Sequence, residues 1–303
     1  MVGGAEVGAY AEADPDVLLA AAPPVLLSER ELVLPTVSVK ALLSGTFPPV
    51  SGQTEIGLAE YAREIVASGF PGLRHLSGRA LRAQLDGYLQ RIVDRDFPEQ
   101  ERAVRRSDAL RRWLAAYAAA TSTTTTFEKI RAAASGREDG STSRTTTNAY
   151  RDVLERLWIV DAVPGWLPIR NHLARLTQGA KHHLADHALA APRDGALLGR
   201  LFESLVTLSV RVYAQHAEAS VRHLRTRDGR EEIDLILERQ DHRVLAMEVK
   251  LSATVNDTDV RHLLWLREKL GDDVLDLVLV TTGGTAYRRP DGVAVVPAVL
   301  LGP

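Results

Sequence analysis

Two apolar strands that carry charged residues constrain the fold of this chain more than any other stretch. The segment EEIDLILERQDHRVLAMEVKLS, residues 231–252, predicts a β-hairpin with a three-residue loop at Gln240–His242. That register places Asp234 opposite Glu248, and Lys250, two residues further, points to the same face. The other face of the hairpin then carries the apolar residues Ile233, Leu235, Leu237, Met247, Val249 and Leu251.

The charged face of this hairpin has the chemistry of a metal-dependent phosphodiesterase. Two neighbouring carboxylates repel each other unless a cation lies between them, and carboxylate oxygens suit Mg²⁺ or Mn²⁺. Asp234 and Glu248 are therefore candidate metal ligands, and Lys250 is a candidate catalytic residue that orients a water molecule and stabilises a phosphodiester transition state. The scarcity of lysine supports a specific role for Lys250, because the chain has only five lysines, at positions 40, 129, 181, 250 and 269. An alternative interpretation is an ion-paired cluster on a partly exposed sheet face.

The last third of the chain predicts an α/β domain over residues 178–303. A long apolar helix, GALLGRLFESLVTLSVRVYAQH, precedes the hairpin, and a further helix and the strand VLDLVLVTTG follow it. Glu203 interrupts the apolar stripe of the first helix, where an unpaired carboxylate is costly. If this helix packs over the hairpin, Glu203 joins the same cleft.

The preceding region, residues 58–177, has the periodicity of several helices and ends in a short strand. The order helix, helix, loop, helix, strand is that of a winged helix-turn-helix unit, and Thr126 is a candidate cap of its second helix. Arg144, Asn148 and Arg151 are candidate nucleic-acid-binding residues at the start of the third helix. The same residues also suit the solvated start of any helix that joins two domains. Residues 1–57, rich in Ala, Gly and Pro, read as a poorly ordered arm or the remnant of a larger module.

Composition excludes several classes of function. The formal net charge is −2, so no global positive field draws the chain to nucleic acid, and any basic surface must be local. The absence of cysteine excludes disulfides, Cys-ligated zinc and thiol catalysis. Histidine-metal binding through KHHLADH is disfavoured because HLAD reads as a strand edge and no HExxH surrounds it. The apolar segment VLLAAAPPVLL is short and interrupted by prolines, so we expect a cytoplasmic protein with no membrane segment.

The order Glu203, Asp234 and the EVK at 248–250 resembles the signature of the PD-(D/E)XK nuclease superfamily. More specifically, the chain from Leu58 onwards resembles a prokaryotic family of predicted AAA+ ATPases with a C-terminal domain of unknown function. The strings that carry the resemblance include GYLQRIVDRDF, YAAATSTTTTFEKI, AYRDVLERLWIVDAVPGWLP, KHHLADHALA, LLGRLFESLV and TTGGTAYRRPDGVAVVP. It implies a helical and winged-helix-like middle region followed by a restriction-endonuclease-like α/β domain, α+β overall. It further implies Asp234 and Glu248 as metal ligands, Lys250 as the water-orienting residue and Glu203 as an accessory ligand or base.

The chain departs from that family at its N-terminal end. The phosphate-binding motif G-x-x-x-x-G-K-[ST] is missing, and the dipeptide Gly-Lys does not occur. We therefore expect residues 1–57 to be a truncated remnant of the ATPase module and expect no ATP binding. The sequence leaves three hypotheses: a metal-dependent nuclease, a non-catalytic protein that binds nucleic acid or a protein partner with an inert nuclease-like fold, and an inactive remnant of a larger ATPase.

Overall fold

The computed structural model describes residues 24–96, 107–135, 143–168, 176, 179–190 and 197–303, and these form a mixed α/β structure. Its α-helices are α1 (Val39–Leu42), α2 (Leu58–Val66), α3 (Gly78–Arg91), α4 (Ser107–Ala119), α5 (Phe127–Ala134), α6 (Arg144–Arg156), α7 (Leu198–His216) and α8 (Arg261–Leu270). Its strands are β1 (Val37–Ser38), β2 (Gly52–Gln53), β3 (Val160–Val163), β4 (Lys181–Leu184), β5 (Ser220–Arg225), β6 (Glu232–Glu238), β7 (Val244–Val249), β8 (Val274–Thr281), β9 (Thr285–Arg288), β10 (Ala294–Pro297) and β11 (Leu301–Gly302). None of the helices in these ranges combines the length and the apolar character that crossing a bilayer requires.

The large sheet of the described residues has seven strands in the order β2-β9-β10-β8-β7-β6-β5. The three central strands, β7, β8 and β10, run parallel to one another, and all other pairs of the sheet are antiparallel. Helix α7 packs on one face through Phe202 and Leu205, and helix α8 packs on the other through Leu263 and Leu266. The centre of the sheet is therefore buried on both faces, which accounts for the continuous apolar run of β8.

The predicted hairpin register is confirmed. Leu235 pairs with Met247 and Leu237 with Leu245, which is the register that a loop at 240–242 requires. The prediction that Ile233 shares a face with Leu235 and Leu237 is wrong, because Ile233 packs with Ile236 on the α8 side.

A β-bulge in β6 explains this difference. Arg222 pairs with Ile236 and Leu224 with Ile233, so two residues of β6, Asp234 and Leu235, oppose one residue of β5. An extra residue breaks the two-residue alternation of a strand and redirects the side chains next to it. Because of the bulge at Asp234, the side chain of Ile233 lies on the opposite face of the sheet from that of Leu235.

The middle region contains a winged-helix-like unit, which we define as α4 to β4. The chain runs from α4 through Thr123, which bridges to His182 of β4, and on through α5, α6 and the antiparallel pair β3–β4. The Thr126 hydroxyl accepts a hydrogen bond from the Lys129 N–H and caps α5 as predicted. The core of the winged-helix-like unit is built from aromatic and aliphatic side chains such as Trp113, Tyr117, Tyr150 and Leu154. Strand β4 belongs to this unit by its pairing, although it lies beyond residue 177.

The N-terminal segment, residues 24–57, is part of the core of the C-terminal domain. Strand β1 pairs in parallel with β11, and β2 pairs with β9 at the edge of the large sheet. The side chains of Leu27, Val39 and Leu42 are buried against α7 and the sheet. This part differs from the expected poorly ordered arm, and residues 1–23 lie outside the described residues.

Candidate functional site: an ion-paired carboxylate cluster

The candidate site is centred on Lys181, a residue of the winged-helix-like unit. Side chains alternate along a strand, so Lys181 and His183 point to one side of β4 and His182 and Leu184 to the other. His182 contacts the rings of Tyr117 and Phe127 inside the winged-helix-like unit. Lys181 therefore points away from that core and reaches the C-terminal domain.

The Lys181 ammonium lies among three carboxylates of the C-terminal domain. Its Nζ is 2.7 Å from Asp234 Oδ1, 2.7 Å from Glu203 Oε1 and 3.4 Å from Glu232 Oε1. The Lys181 side chain is only 2% exposed. Glu203 belongs to α7, and Asp234 belongs to the bulge of β6. The ammonium of Lys181, on β4 of the winged-helix-like unit, therefore contacts both a helix and a strand of the C-terminal domain. We call Glu203, Glu232, Asp234 and Glu248 the carboxylate cluster.

The hairpin brings Asp234 and Glu248 together, as the sequence predicted. Asp234 Oδ2 accepts a hydrogen bond of 2.9 Å from the Val249 N–H, so its side chain takes part in the strand pairing next to the bulge. Lys250 Nζ lies 3.4 Å from Glu248 Oε2, and the Lys250 side chain is partly exposed. Glu248 is buried and shares a hydrogen bond with Asp234.

Burial and the neighbouring charges raise the pKa of Glu203 and Glu248 and lower that of Asp234. Burial and the Asp234 charge raise the pKa of Glu248 well above its usual value. Burial also raises the pKa of Glu203, and the Asp234 charge adds to this, against the opposing effect of Lys181. Burial would raise the pKa of Asp234 as well, but the Lys181 ammonium outweighs it and lowers that pKa. Asp234 is therefore the ionised partner of Lys181, and Glu248 favours its neutral form.

The lysine itself is held in its charged form. Burial alone would lower the pKa of Lys181, but the charges of Asp234, Glu203 and Glu232 outweigh burial and raise it. The pKa of Lys250 is also raised, because Glu248 and Asp234 outweigh the effect of its burial. Two ammonium groups, those of Lys181 and Lys250, therefore contact the carboxylate cluster at neutral pH.

This arrangement does not fit a divalent metal ion. Both oxygens of Asp234 are already engaged, by the Lys181 ammonium and by the Val249 N–H. In the part of the chain that the structure describes, no group of three or more His, Cys, Asp or Glu side chains is arranged to hold a metal ion. The Lys181 ammonium supplies the positive charge between Asp234 and Glu203. Metal binding by Asp234 and Glu248 stays a prediction.

The second set of predicted residues lies together in a small cleft on the winged-helix-like unit. Arg144, Asn148 and Arg151 line a cavity of about 300 Å³ between the N-terminal ends of α5 and α6. The remaining lining residues are Thr126, Phe127, Glu128, Arg131 and Thr147. We call these eight residues the arginine cleft.

Sequence reasoning found most of this site but missed its central residue. It named Glu203, Asp234, Glu248 and Lys250, and the structure brings all four into one region. It did not assign a role to Lys181, although the scarcity of lysine that drew attention to Lys250 applies equally to Lys181. His182 and His183 lie on a strand, as the sequence indicated, and the side chain of His187 lies outside the described residues.

Two family models match the chain. Residues 198–301 match DUF4143, a domain of unknown function that often lies C-terminal to AAA ATPase domains. Residues 58–200 match DUF8612, a second domain of unknown function. Each match covers less than half of the chain, and the two meet at the start of α7. A comparison with curated proteins gives no match.

Proposed function

We propose that this protein binds nucleic acid without cleaving it, through the arginine cleft of its winged-helix-like unit. The observation that carries the proposal is the convergence of Arg131, Arg144 and Arg151 on one cleft with Asn148. Arginine and asparagine side chains are common ligands of phosphate groups and base edges. The C-terminal domain, with its ion-paired carboxylate cluster, then acts as a nuclease-like body that does not catalyse.

The charge of the cleft supports an anionic ligand. Three arginines line it against one carboxylate, Glu128. The ion pair of Arg144 with Glu128 is 3.4 Å long, and the Arg144 side chain is 80% exposed. Exposed ion pairs of this kind are weak, so a phosphate group can compete for Arg144 at little cost.

The Arg151 guanidinium is held in place by two contacts. It lies over the Phe127 ring at 4.9 Å and pairs with Asp152 at 3.2 Å. A positioned guanidinium loses less side-chain entropy when it contacts a phosphate. Arg144 and Arg151 therefore have complementary roles, one as an exposed charge and one as a positioned charge.

Replacement of Arg144 and Arg151 by alanine is expected to weaken binding to a DNA duplex of mixed sequence by about tenfold or more. The slope of log K against log salt should fall by about 1 for each phosphate contact that is lost. Fluorescence anisotropy of a labelled duplex over a series of salt concentrations measures both quantities.

Two further variants make this experiment specific. The double variant Arg63→Ala/Arg230→Ala removes two ion-paired, highly exposed arginines elsewhere, so it should leave binding nearly unchanged. Glu128→Gln removes the carboxylate of the cleft and should tighten binding about two- to threefold. Equal losses in both arginine pairs, or no binding by the wild type, would refute the proposed function.

A metal-dependent phosphodiesterase is the second candidate, and the proximity of Asp234, Glu248 and Lys250 favours it. This hypothesis assigns Asp234 and Glu248 to Mg²⁺ or Mn²⁺ and Lys250 to the attacking water. We expect no cleavage of labelled DNA or RNA in either metal. Cleavage by the wild type that disappears in folded Lys250→Ala and Asp234→Asn would establish the second candidate instead.

A further inference from the structure

The string KHHLADH contains a histidine, His182, that has no part in the carboxylate cluster. His182 is only 1% exposed and lies inside the winged-helix-like unit. Its ring contacts those of Tyr117 at 5.0 Å and Phe127 at 4.7 Å, both edge to face. Phe127 is one of the residues that line the arginine cleft. The buried imidazole is therefore a direct neighbour of the proposed binding site.

Hydrogen bonds attach His182 to the segment that leads into α5. Its Nε2 lies 2.6 Å from the carbonyl oxygen of Thr125, so this nitrogen carries the hydrogen and donates it. The His182 N–H also donates to the carbonyl oxygen of Thr123, at 3.0 Å. Thr125 directly precedes Thr126 and Phe127, which cap and begin α5 and line the cleft. The imidazole thus fixes the point from which α5 starts.

The Phe127 ring connects His182 with a charged group of the cleft, because the Arg151 guanidinium lies over the same ring at 4.9 Å. We infer that His182 is a positioning residue for Arg151, and that uptake of a proton by its ring weakens ligand binding at the arginine cleft. The inference rests on the proposed function, because it concerns the regulation of the same cleft.

The surroundings of the second ring nitrogen explain this effect of a proton. Nδ1 of His182 is buried and has no hydrogen-bond partner among the described residues, so a proton added there finds no acceptor. The resulting imidazolium would lie against the Phe127 ring that already carries the Arg151 guanidinium, and two neighbouring cations repel each other. Protonation therefore disturbs the contacts that position Arg151.

The elements packed against His182 offer no negative charge to compensate. In the part of the chain that the structure describes, the charged group that acts on the ring is Arg151 of α6. Tyr117 of α4 is titratable, but burial raises the pKa of its hydroxyl, which stays neutral. The facing residues of α5 and β3 are Phe127 and Ala162, which carry no charge. The neighbours of His182 in β4 point to the other side of the strand.

The direction of the pH dependence follows from these contacts. Burial lowers the pKa of His182 below its usual value of about 6.5, and the Arg151 charge adds to this, against the opposing hydrogen bond to Thr125. His182 is therefore neutral at neutral pH. As the pH falls below about 6.5, the unfolded chain takes up this proton more readily than the folded one, so the packing around the ring loses stability in acid.

The test measures binding of the labelled DNA duplex to the full chain by fluorescence anisotropy, at about pH 7.5 and about pH 5 and at one salt concentration. The wild type should bind about three- to tenfold more weakly at the lower pH, because an Arg151 that is no longer positioned loses more side-chain entropy on binding.

Two variants of His182 separate the proton from the ring. His182→Gln keeps an uncharged N–H donor for the Thr125 carbonyl, so it should bind within about twofold of the wild type at the higher pH and lose no affinity at the lower. His182→Phe keeps a ring but has no donor, and at the higher pH it should bind as weakly as the wild type does in acid.

A control and a measurement without nucleic acid complete the test. His216→Gln makes the same change at an exposed histidine of α7 and should keep the acid loss of the wild type. In an NMR titration of the full chain with ¹⁵N-labelled arginine, the Arg151 Nε–H signal, assigned by its loss in Arg151→Lys, should shift as His182 is protonated. The signal should not shift in this way in His182→Gln.

The inference is overturned if the wild type binds equally well at the two pH values, or if folded His182→Gln loses as much affinity in acid as the wild type. It is also overturned if the Arg151 signal does not follow the protonation of His182. Should His182→Gln not fold, His182→Phe and the wild-type NMR titration decide. No binding by the wild type at either pH refutes the proposed function instead, and the NMR titration then decides whether His182 positions Arg151.

Discussion

Replacement of Lys181 by methionine, in the absence of divalent ions, is expected to lower the free energy of unfolding by about 3–5 kcal/mol. Methionine is similar in length to lysine, so the variant removes the charge without leaving a large cavity. Asp234 and Glu203 then remain buried without a counter-charge, and the removal of one partner of a buried ion pair is strongly destabilising. Urea denaturation followed by circular dichroism measures this loss.

The matched control is Lys269→Met, which removes an exposed lysine paired with Glu268. Its free energy of unfolding should stay within about 0.5 kcal/mol of the wild type. Asp234→Asn in the Lys181→Met background should recover part of the loss, because it removes the uncompensated charge. A loss below about 1 kcal/mol for Lys181→Met would mean that the ammonium does not hold the two units together.

Replacement of Leu42 by alanine is expected to lower the free energy of unfolding by about 2–5 kcal/mol. Leu42 lies in the segment that we expected, from the sequence, to be a remnant of a larger module. The Leu42 side chain is 0% exposed and belongs to the core shared by α7 and the large sheet. Its truncation leaves a cavity that the surrounding side chains fill only in part. The same urea experiment measures the loss.

Leu34→Ala is the control for this variant. It makes the same chemical change in the same segment, but Leu34 is 85% exposed and should lose less than about 0.5 kcal/mol. If both leucine variants are neutral, residues 24–57 are not a structural part of the C-terminal domain. A large difference between them shows that the segment is required for that domain.

The hairpin could be predicted closely because its information is local. The loop at 240–242 fixes the register, and the two-residue alternation of strands then fixes which side chains meet. The bulge at Asp234 could not be predicted in the same way. It depends on the pairing of β6 with β5, and nothing in the alternation of EIDLILE marks the extra residue.

The role of the N-terminal segment was missed for a different physical reason. Strands β1 and β2 have two residues each, too few for any periodic signal, and their partners β11 and β9 are more than two hundred residues away in the chain. Short strands of this kind are defined by the distant strand with which they pair, and not by their own residues. The composition rich in Ala, Gly and Pro therefore indicated an arm where the structure has part of a core.

The sequence by itself determined the α/β character of the C-terminal domain, the register of β6 and β7 and the identity of the acidic residues that meet there. These follow from periodicity and from spacing across one short loop. Only the tertiary structure decided which positively charged group pairs with those acidic residues. Lys181 is separated from Asp234 by more than fifty residues, and it reaches the cluster because β4 pairs with β3 and turns one of its faces towards α7 and β6. Charge compensation depends on distances of a few ångströms in space, and the linear order of residues does not contain those distances.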